Sequence, residues 1–447
     1  MKRHIVITIL LIIIPVLAFS QNPVIRNQYS ADPTARVFNG KVYLFPSHDI
    51  LTPQGKGLRP DWFCMADYHV FSSDNLTDWT DHGVIVSQEK VKWVDSTSYS
   101  MWAPDCVERN GKYYFYFPAN TNLVGANGRK GFGIGVAIAE KPEGPYLPQD
   151  EPIKGVPGID PNVFIDKDGQ AYLIWAMGKI SIAKLKENML ELASEPQEIK
   201  DLPTKGLKEG PFMFERNGIY YMTYPHVENT IERLEYATAD NPMGPFKFAG
   251  VIMDESPTNC WTNHQSIVNF KDQWYLFYHQ NDWSPKFDKN RSVRIDSLNF
   301  NADGTIRKVK PTLRGVGLTK ASDEIQLDRY NLISDKGASI AYNDTLDYFK
   351  GWKTVLTAKD AWIQYNSVAF DKESYKWLDI KYISPKGGVL TICQDSKKAG
   401  MVSTIKVPAS AEWKTMRVKI SGMKKGIHSL ILSNAGNNPV EIDWIKF

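Results

Sequence analysis

Three carboxylates carry most of the chemistry that this sequence offers. Asp32 lies in SADPTARVFNG, Asp160 in GIDPNVFIDKDG and Glu209 in KEGPFMFERNG. Each is followed within two residues by proline, then by a short apolar run, then by an Asn-Gly or Asp-Gly turn. One Asp-Pro or Glu-Gly-Pro turn is ordinary loop punctuation. Three in one register place three acids at equivalent positions of a repeated unit. Acids gathered around one point do not ionise alike, so one stays charged while another keeps its proton. That separation is what general acid–base catalysis requires.

The elements that hold these acids recur along the chain. A Gly or Asp turn leads into a short apolar strand with Tyr or Trp in NGKVYLFP (39–46), NGKYYFYFP (110–118) and DGQAYLIW (168–175). The same pattern returns as NGIYYMTYP (217–225) and KDQWYLFYH (271–279). Spacings of about 50 to 70 residues fit a four-stranded propeller blade with variable loops. Partner strands echo each other in GVAIAEKPEGPY (135–146) and EYATADNPMGPF (235–246). The sequence therefore predicts an all-β chain whose residues 21–318 form a five-bladed β-propeller. Strand ends of a propeller converge on one axis, which would gather acids from separate blades. Ile182–Leu192 is the one segment with helical spacing. The long loop from Ile50 to Asp67 and the insert from Asn120 to Gly131 are expected to wall a pocket.

The ends of the chain differ from this repeat. Lys2-Arg3, the apolar run Ile5–Leu17 and Ala18-Phe19-Ser20 read as a signal peptide over residues 1–20, implying a periplasmic or secreted protein with no membrane anchor after cleavage. The formal charge of +3 falls to about +1 without Lys2 and Arg3, which leaves no electrostatic footprint for nucleic acid. Cys64, Cys106, Cys260 and Cys393 lack zinc-site spacing and read as buried thiols. Past residue 309 the repeat stops. Residues 323–447 carry their own strands, among them WIQYNSVAF, KWLDIKYIS and HSLILSN, and are expected to form a separate β-sandwich.

The order of the three acids, with WAPD at 102–105 and NHQS at 263–266, resembles glycoside hydrolase family 43 from about Gln28 to Val309. The resemblance implies a five-bladed propeller that hydrolyses arabinofuranosyl, xylosyl or galactosyl linkages with inversion. By position, Asp32 would be the general base, Glu209 the general acid and Asp160 the modulator of the acid's pKa. Inversion needs a water between the base and the sugar, with carboxyls roughly 6.5–9.5 Å apart. His264 matches the family's axial histidine beneath the sugar, and Arg291 an arginine close to the acid. Trp102 resembles a pocket-lining aromatic, while His48 and Asp49 would meet sugar hydroxyls. Taken alone, His264 reads more often as a satisfied core residue, and Trp102 equally as one.

The last segment resembles carbohydrate-binding module family 6, a jelly-roll sandwich, through WIQYNSVAF, VSTIKVPASAEWKTMRV, GIHSLILSN and the closing DWIKF. The resemblance implies sugar contacts at Trp413 and Asn437, and a structural calcium site near Asp328 and Asp443, although an Asp stands where that family usually has Glu. No cofactor is expected for the chemistry. The implied activity is exo-release of terminal α-L-arabinofuranose, or β-D-xylose, from plant cell-wall polysaccharide or its oligosaccharides. Rival readings are a glycosidase for β-galactofuranose or β-1,3-galactose, and a non-catalytic sugar-binding propeller.

Overall fold

The computed structural model describes residues 22–124, 130–203, 205–398 and 400–447. The expected signal segment therefore lies outside the described residues, as does the middle of the Asn120–Gly131 insert.

Five antiparallel sheets follow one another along the chain, four of them four-stranded and the fifth three-stranded. Their leading strands are Ala31–Phe38, Asp105–Arg109, Ile159–Ile165, Phe212–Arg216 and Ser266–Phe270. Each leading strand pairs with the next one in sequence across one of the five repeat turns. Asn39-Gly40, Asn110-Gly111 and Asn217-Gly218 hold consecutive positive φ angles, as tight hairpin turns demand. Lys271-Asp272 adopts the same pair of left-handed angles, φ 52° and 62°, without a glycine.

The inner strands of these sheets are largely buried on both faces; all six residues of Ala171–Ala176 are buried. The reason lies in five separate apolar cores, each wedged between two successive sheets. Phe45 meets Phe115 between the first and second. Trp175 packs in the core of the second and third, and Met222 in that of the third and fourth. Leu276 belongs to the core of the fourth and fifth, and Phe277 to the core of the fifth and first. Each leading strand touches the next, and that of the first sheet touches that of the fifth.

The region with helical spacing is a strand and a turn. Ile180–Lys184 pairs with Ala171–Ala176, and Met189 turns the chain at φ 63°. Its Ile and Leu residues are spaced for two neighbouring cores, which overrides the helical reading. Among the described residues, no helix is long and apolar enough to cross a membrane.

From Thr319 onward, two six-stranded sheets enclose a single core that includes Ile363, Tyr365, Ile380, Leu390 and Ile442. Thr319–Lys320 already pairs with Trp362–Phe370, so this unit begins ahead of residue 323. It rests on the fifth sheet's neighbourhood. The Trp283 and Trp352 rings stack at 4.1 Å, Tyr342 donates to the Asp282 carbonyl at 2.6 Å, and Arg314 Nε donates to the Asn366 carbonyl at 3.0 Å. All four cysteines are buried and free.

Candidate active site

The three acids sit where leading strands begin badly. Proline has no N–H for the ladder, and the pairing slips across both Asp32-Pro33 and Asp160-Pro161. Asp32 and Asp160 take left-handed angles, φ 45° and 55°, at a cost of about 1–3 kcal/mol each. The bulge turns each carboxylate out of its strand. At the third position Gly210 takes the place before proline, with φ 52°, and Glu209 stands one residue earlier. The register is thus shared by two acids and offset by one at the third. A Cβ on Gly210 would lie 2.9 Å from Pro225 and 3.1 Å from His264 Nδ1, so only glycine fits here.

Asp32 is held as a carboxylate. Burial opposes its charge, but Arg291, His279, His264 and the Ser47 hydroxyl outweigh burial and bring it down to about 2. Arg291 Nη1 donates to Oδ1 at 2.7 Å and Nη2 to Oδ2 at 3.1 Å, while Ser47 Oγ donates to Oδ2 at 2.7 Å. His279 is locked in one neutral tautomer: Nδ1 accepts the Asp32 N–H at 3.1 Å and Nε2–H donates to the Thr262 carbonyl at 3.0 Å. Burial brings His279 to about 3, and His264, 3.9 Å from Asp32, to about 4.

The other acids are pushed the opposite way. Burial, and then the Glu209 charge, raise Asp160 well above the usual carboxylate range. Burial raises Glu209 as well, with Asp32 adding to it. Asp160 and Glu209 repel each other, so the pair resists ionising together. Asp160 Oδ2 accepts the Gly210 N–H at 2.9 Å, and Gln265 Nε2 donates to the Gly210 carbonyl at 2.9 Å. These bonds fix the Glu209 loop from both sides. A fourth buried acid, Glu232, lies close against the Glu209 side chain.

A cavity of about 170 Å³ opens over this group. Asp32, Asp160, Glu209, His264 and Arg291 line it, with Trp62, Phe63, Trp102 and Trp261 as apolar walls. Trp62 and Phe63 come from the Ile50–Asp67 loop, which therefore contributes the wall expected of it. One carboxyl held toward its ionised form and one pushed toward its protonated form, facing a small aromatic-walled space, are an arrangement for acid–base attack on a bound ring.

The model of the glycosyl hydrolases family 43 matches residues 20–306, and that of carbohydrate binding module family 6 matches residues 324–447. The chain belongs to glycosyl hydrolase family 43. It is a glycoside hydrolase, with a C-terminal module of the second family. It is 39% identical over 339 residues to a xylosidase/arabinosidase of Humicola insolens, covering 65% of this chain and 99% of that protein. It is 28% identical over 504 residues to an arabinoxylan arabinofuranohydrolase of Bacillus subtilis, covering 96% and 92%. A β-xylosidase/α-arabinofuranosidase structure from a compost metagenome, in complex with xylotriose, is similar at a TM-score of 0.58 and 34% identity over 65% of this chain and 98% of that one.

In this family 43 enzyme the WAPD and NHQS motifs act as struts. Asp105 of WAPD is fully buried and accepts from Arg36, from the Val163 N–H at 2.6 Å and from Asn162 Nδ2 at 2.9 Å, joining three sheets. Ser266 of NHQS accepts the Ala35 N–H at 2.9 Å across the fifth and first sheets. Arg291 hydrogen-bonds Asp32 and also acts electrostatically on Glu209, with which it lines the cavity. Its Nε and Nη2 also reach Asp49, each at 2.9 Å. Asp49 is thus spent on Arg291 behind the cavity, and His48 is paired with Asp67 at 2.7 Å; neither lines the cavity. His279, Thr262 and Glu232 were missed. For Glu232 and His279 an acid or imidazole near a strand end was the one available signal, and Thr262 had none, since their partners lie far away in sequence.

On the C-terminal module, Trp413 lines a separate surface cavity with Asp443, Lys381 and Asn343. Asn437 is exposed and outside it. Asp443 pairs with Lys381 at 2.7 Å, and Asp328 faces Arg329 at 3.5 Å. Calcium takes a cage of several oxygens. Two acids that already face cations do not provide one, so these residues do not fit that ion.

Proposed function

We propose that this chain is an exported, inverting, exo-acting glycoside hydrolase that removes terminal α-L-arabinofuranose or β-D-xylose from plant cell-wall polysaccharide or its oligosaccharides. The observation that carries the reading is the opposed state of two acids in one cavity. Arg291 holds Asp32 toward the ionised form, while burial pushes Glu209 toward the protonated one. The five sheets with five cores in cyclic contact support a five-bladed propeller, in which the acids reach the axis from separate blades.

Asp32 takes a proton from water as that water attacks the anomeric carbon. Glu209 delivers its proton to the departing glycosidic oxygen, and the bond to the leaving sugar breaks. Asp160 holds the Glu209 loop through the Gly210 N–H and adds to the repulsion that keeps the acids from ionising together. Trp62, Trp102 and Trp261 present apolar faces to a ring, and a cavity of about 170 Å³ suits one sugar better than a through-running chain. Relatives named for xylose and arabinose release favour those two sugars. Export rests on the basic, apolar and small-residue order of residues 1–20.

Release of free sugar from methyl α-L-arabinofuranoside, methyl β-D-xylopyranoside and methyl β-D-galactopyranoside, whose methoxide cannot leave without a proton, with Glu209→Gln beside the wild type, tests this. Arabinoside or xyloside cleavage that collapses in the variant is expected. Cleavage of the galactoside alone would overturn the substrate, and a fully active variant would overturn the acid.

A further inference from the structure

Glu232 opens the strand Glu232–Ala239 of the fourth sheet and is 1% exposed. Its backbone N–H donates to the Trp261 carbonyl at 3.0 Å. Its Oε2 accepts the Asn263 N–H at 2.6 Å. Those two bonds clamp it to the segment Trp261–His264, which lines the cavity. Oε1 is sealed from solvent and meets no N–H or hydroxyl donor. The Glu232 side chain as a whole lies within hydrogen-bonding reach of the Glu209 side chain.

Two carboxyl groups attract each other at hydrogen-bond range only with a proton between them. Burial is more complete around Glu232 than the cavity-lining position of Glu209 allows, and no cation pairs with it among the described residues. Burial thus favours Glu232 over Glu209 as the holder of a proton between the two carboxyls. This contact differs in kind from that of Asp160, which accepts from the Gly210 backbone.

We propose that Glu232 is a positioning residue that stays protonated through the reaction and donates a hydrogen bond to Glu209, orienting its carboxyl and stabilising the carboxylate left when Glu209 gives up its proton. In balance, the Glu209 proton goes to the leaving oxygen, the electron pair of that O–H bond stays on Glu209, and the Glu232 O–H bond is not broken. Burial and Asp32 make Glu209 a reluctant acid; the Glu232 donor offsets part of that reluctance, in line with its direction of effect on Glu209. The inference rests on Glu209 as the proton donor.

The test uses wild type, Glu209→Gln, Glu232→Gln and Glu232→Leu, with kcat/KM read against pH for a methyl glycoside and a 2,4-dinitrophenyl glycoside of the preferred sugar. The dinitrophenyl group departs without a proton, so defects of acid catalysis vanish on it. Glu232→Gln keeps a donor toward Glu209 and an acceptor for Asn263, and its alkaline limb should stay within about half a pH unit of wild type. Glu232→Leu should lose roughly 10- to 100-fold on the methyl glycoside and under about 3-fold on the dinitrophenyl one, with its alkaline limb moved up. A limb in Glu232→Gln lowered by a unit or more would mean that Glu232 is ionised, and would overturn the proposal. Equal losses on both substrates in Glu232→Leu would reduce Glu232 to a structural role and overturn it too. Should Glu232→Leu not fold, the Glu232→Gln limb alone decides. If Glu209→Gln itself loses no more on the methyl than on the dinitrophenyl glycoside, the acid assignment fails first, and that result is separable from the other two.

Discussion

Arg291 and Asp32 stand 259 residues apart in sequence and meet through two hydrogen bonds, Nη1 to Oδ1 at 2.7 Å and Nη2 to Oδ2 at 3.1 Å. The same guanidinium spans Asp49, so one cation answers two buried carboxylates. Replacing it with Met leaves both uncompensated. Chemical denaturation of Arg291→Met should show a loss of about 3–5 kcal/mol. With the cation gone, the charged form of Asp32 is disfavoured and its pKa climbs from about 2. The acid limb of kcat/KM should therefore move upward in pH. Arg291→Lys retains the charge but not the fork, and should fall between.

Gly210 joins the acid's loop to Asp160. Alanine there must hold φ 52° and push its Cβ against Pro225 and His264. We expect Gly210→Ala to lose about 1–3 kcal/mol of stability. Misplacement of Glu209 should lower kcat by about 100-fold. Thermal unfolding and steady-state kinetics on one preparation separate the two effects.

His279 gives a pH signature of folding. Its pKa is lowered from 6.5 to about 3 by burial, so between those values the unfolded chain holds a proton that the folded chain does not. Stability from this group is therefore complete above about pH 6.5 and is lost as pH falls, by up to about 1.4 kcal/mol per unit. His279→Gln, which accepts from Asp32 N–H and donates to Thr262, should flatten the fall in unfolding free energy between pH 4 and 6 by about that slope. An unchanged slope would assign it to other groups. The raised carboxyls pull the other way in this window, since the folded chain keeps their protons, so wild type alone does not isolate the imidazole.

Trp413 lies on a surface cavity of the C-terminal module, apart from the catalytic one. If its indole stacks a sugar ring, Trp413→Ala should weaken retention on insoluble arabinoxylan roughly 2- to 10-fold. Its kinetics on aryl glycosides should not change. Affinity electrophoresis beside a chromogenic assay reads both.

The parts of this molecule that were legible in the sequence are those encoded locally. Asn39-Gly40 or Asp32-Pro33 constrains the backbone within two or three residues, so hairpins and acid-bearing bulges announce themselves. Lys271-Asp272 shows that the turn survives without its usual residues once the strands fix it. The one-residue offset at Glu209 was not legible, because the signal lay in the shared proline, and it is Gly210 that fills the left-handed position. Ile182–Leu192 misled because two cores on opposite faces of one strand mimic helical spacing. His48 and Asp49 sit at a strand end near the cavity, but their side chains are claimed by Asp67 and Arg291, partners that no local pattern reveals. Glu232 and His279 were invisible for the same reason.

The most direct test of the two acids' roles is the anomeric configuration of the sugar at the instant of release. Proton NMR of the wild-type reaction on an arabinofuranoside or xylopyranoside, followed from the first minutes, resolves the new anomer before mutarotation mixes it. With Asp32 activating a water and Glu209 supplying the proton, the inverted anomer should appear first and then equilibrate. First appearance of the retained anomer would mean that a carboxylate attacks the sugar itself, and would contradict the assignment of Asp32 as base and of Glu209 as acid in a single displacement.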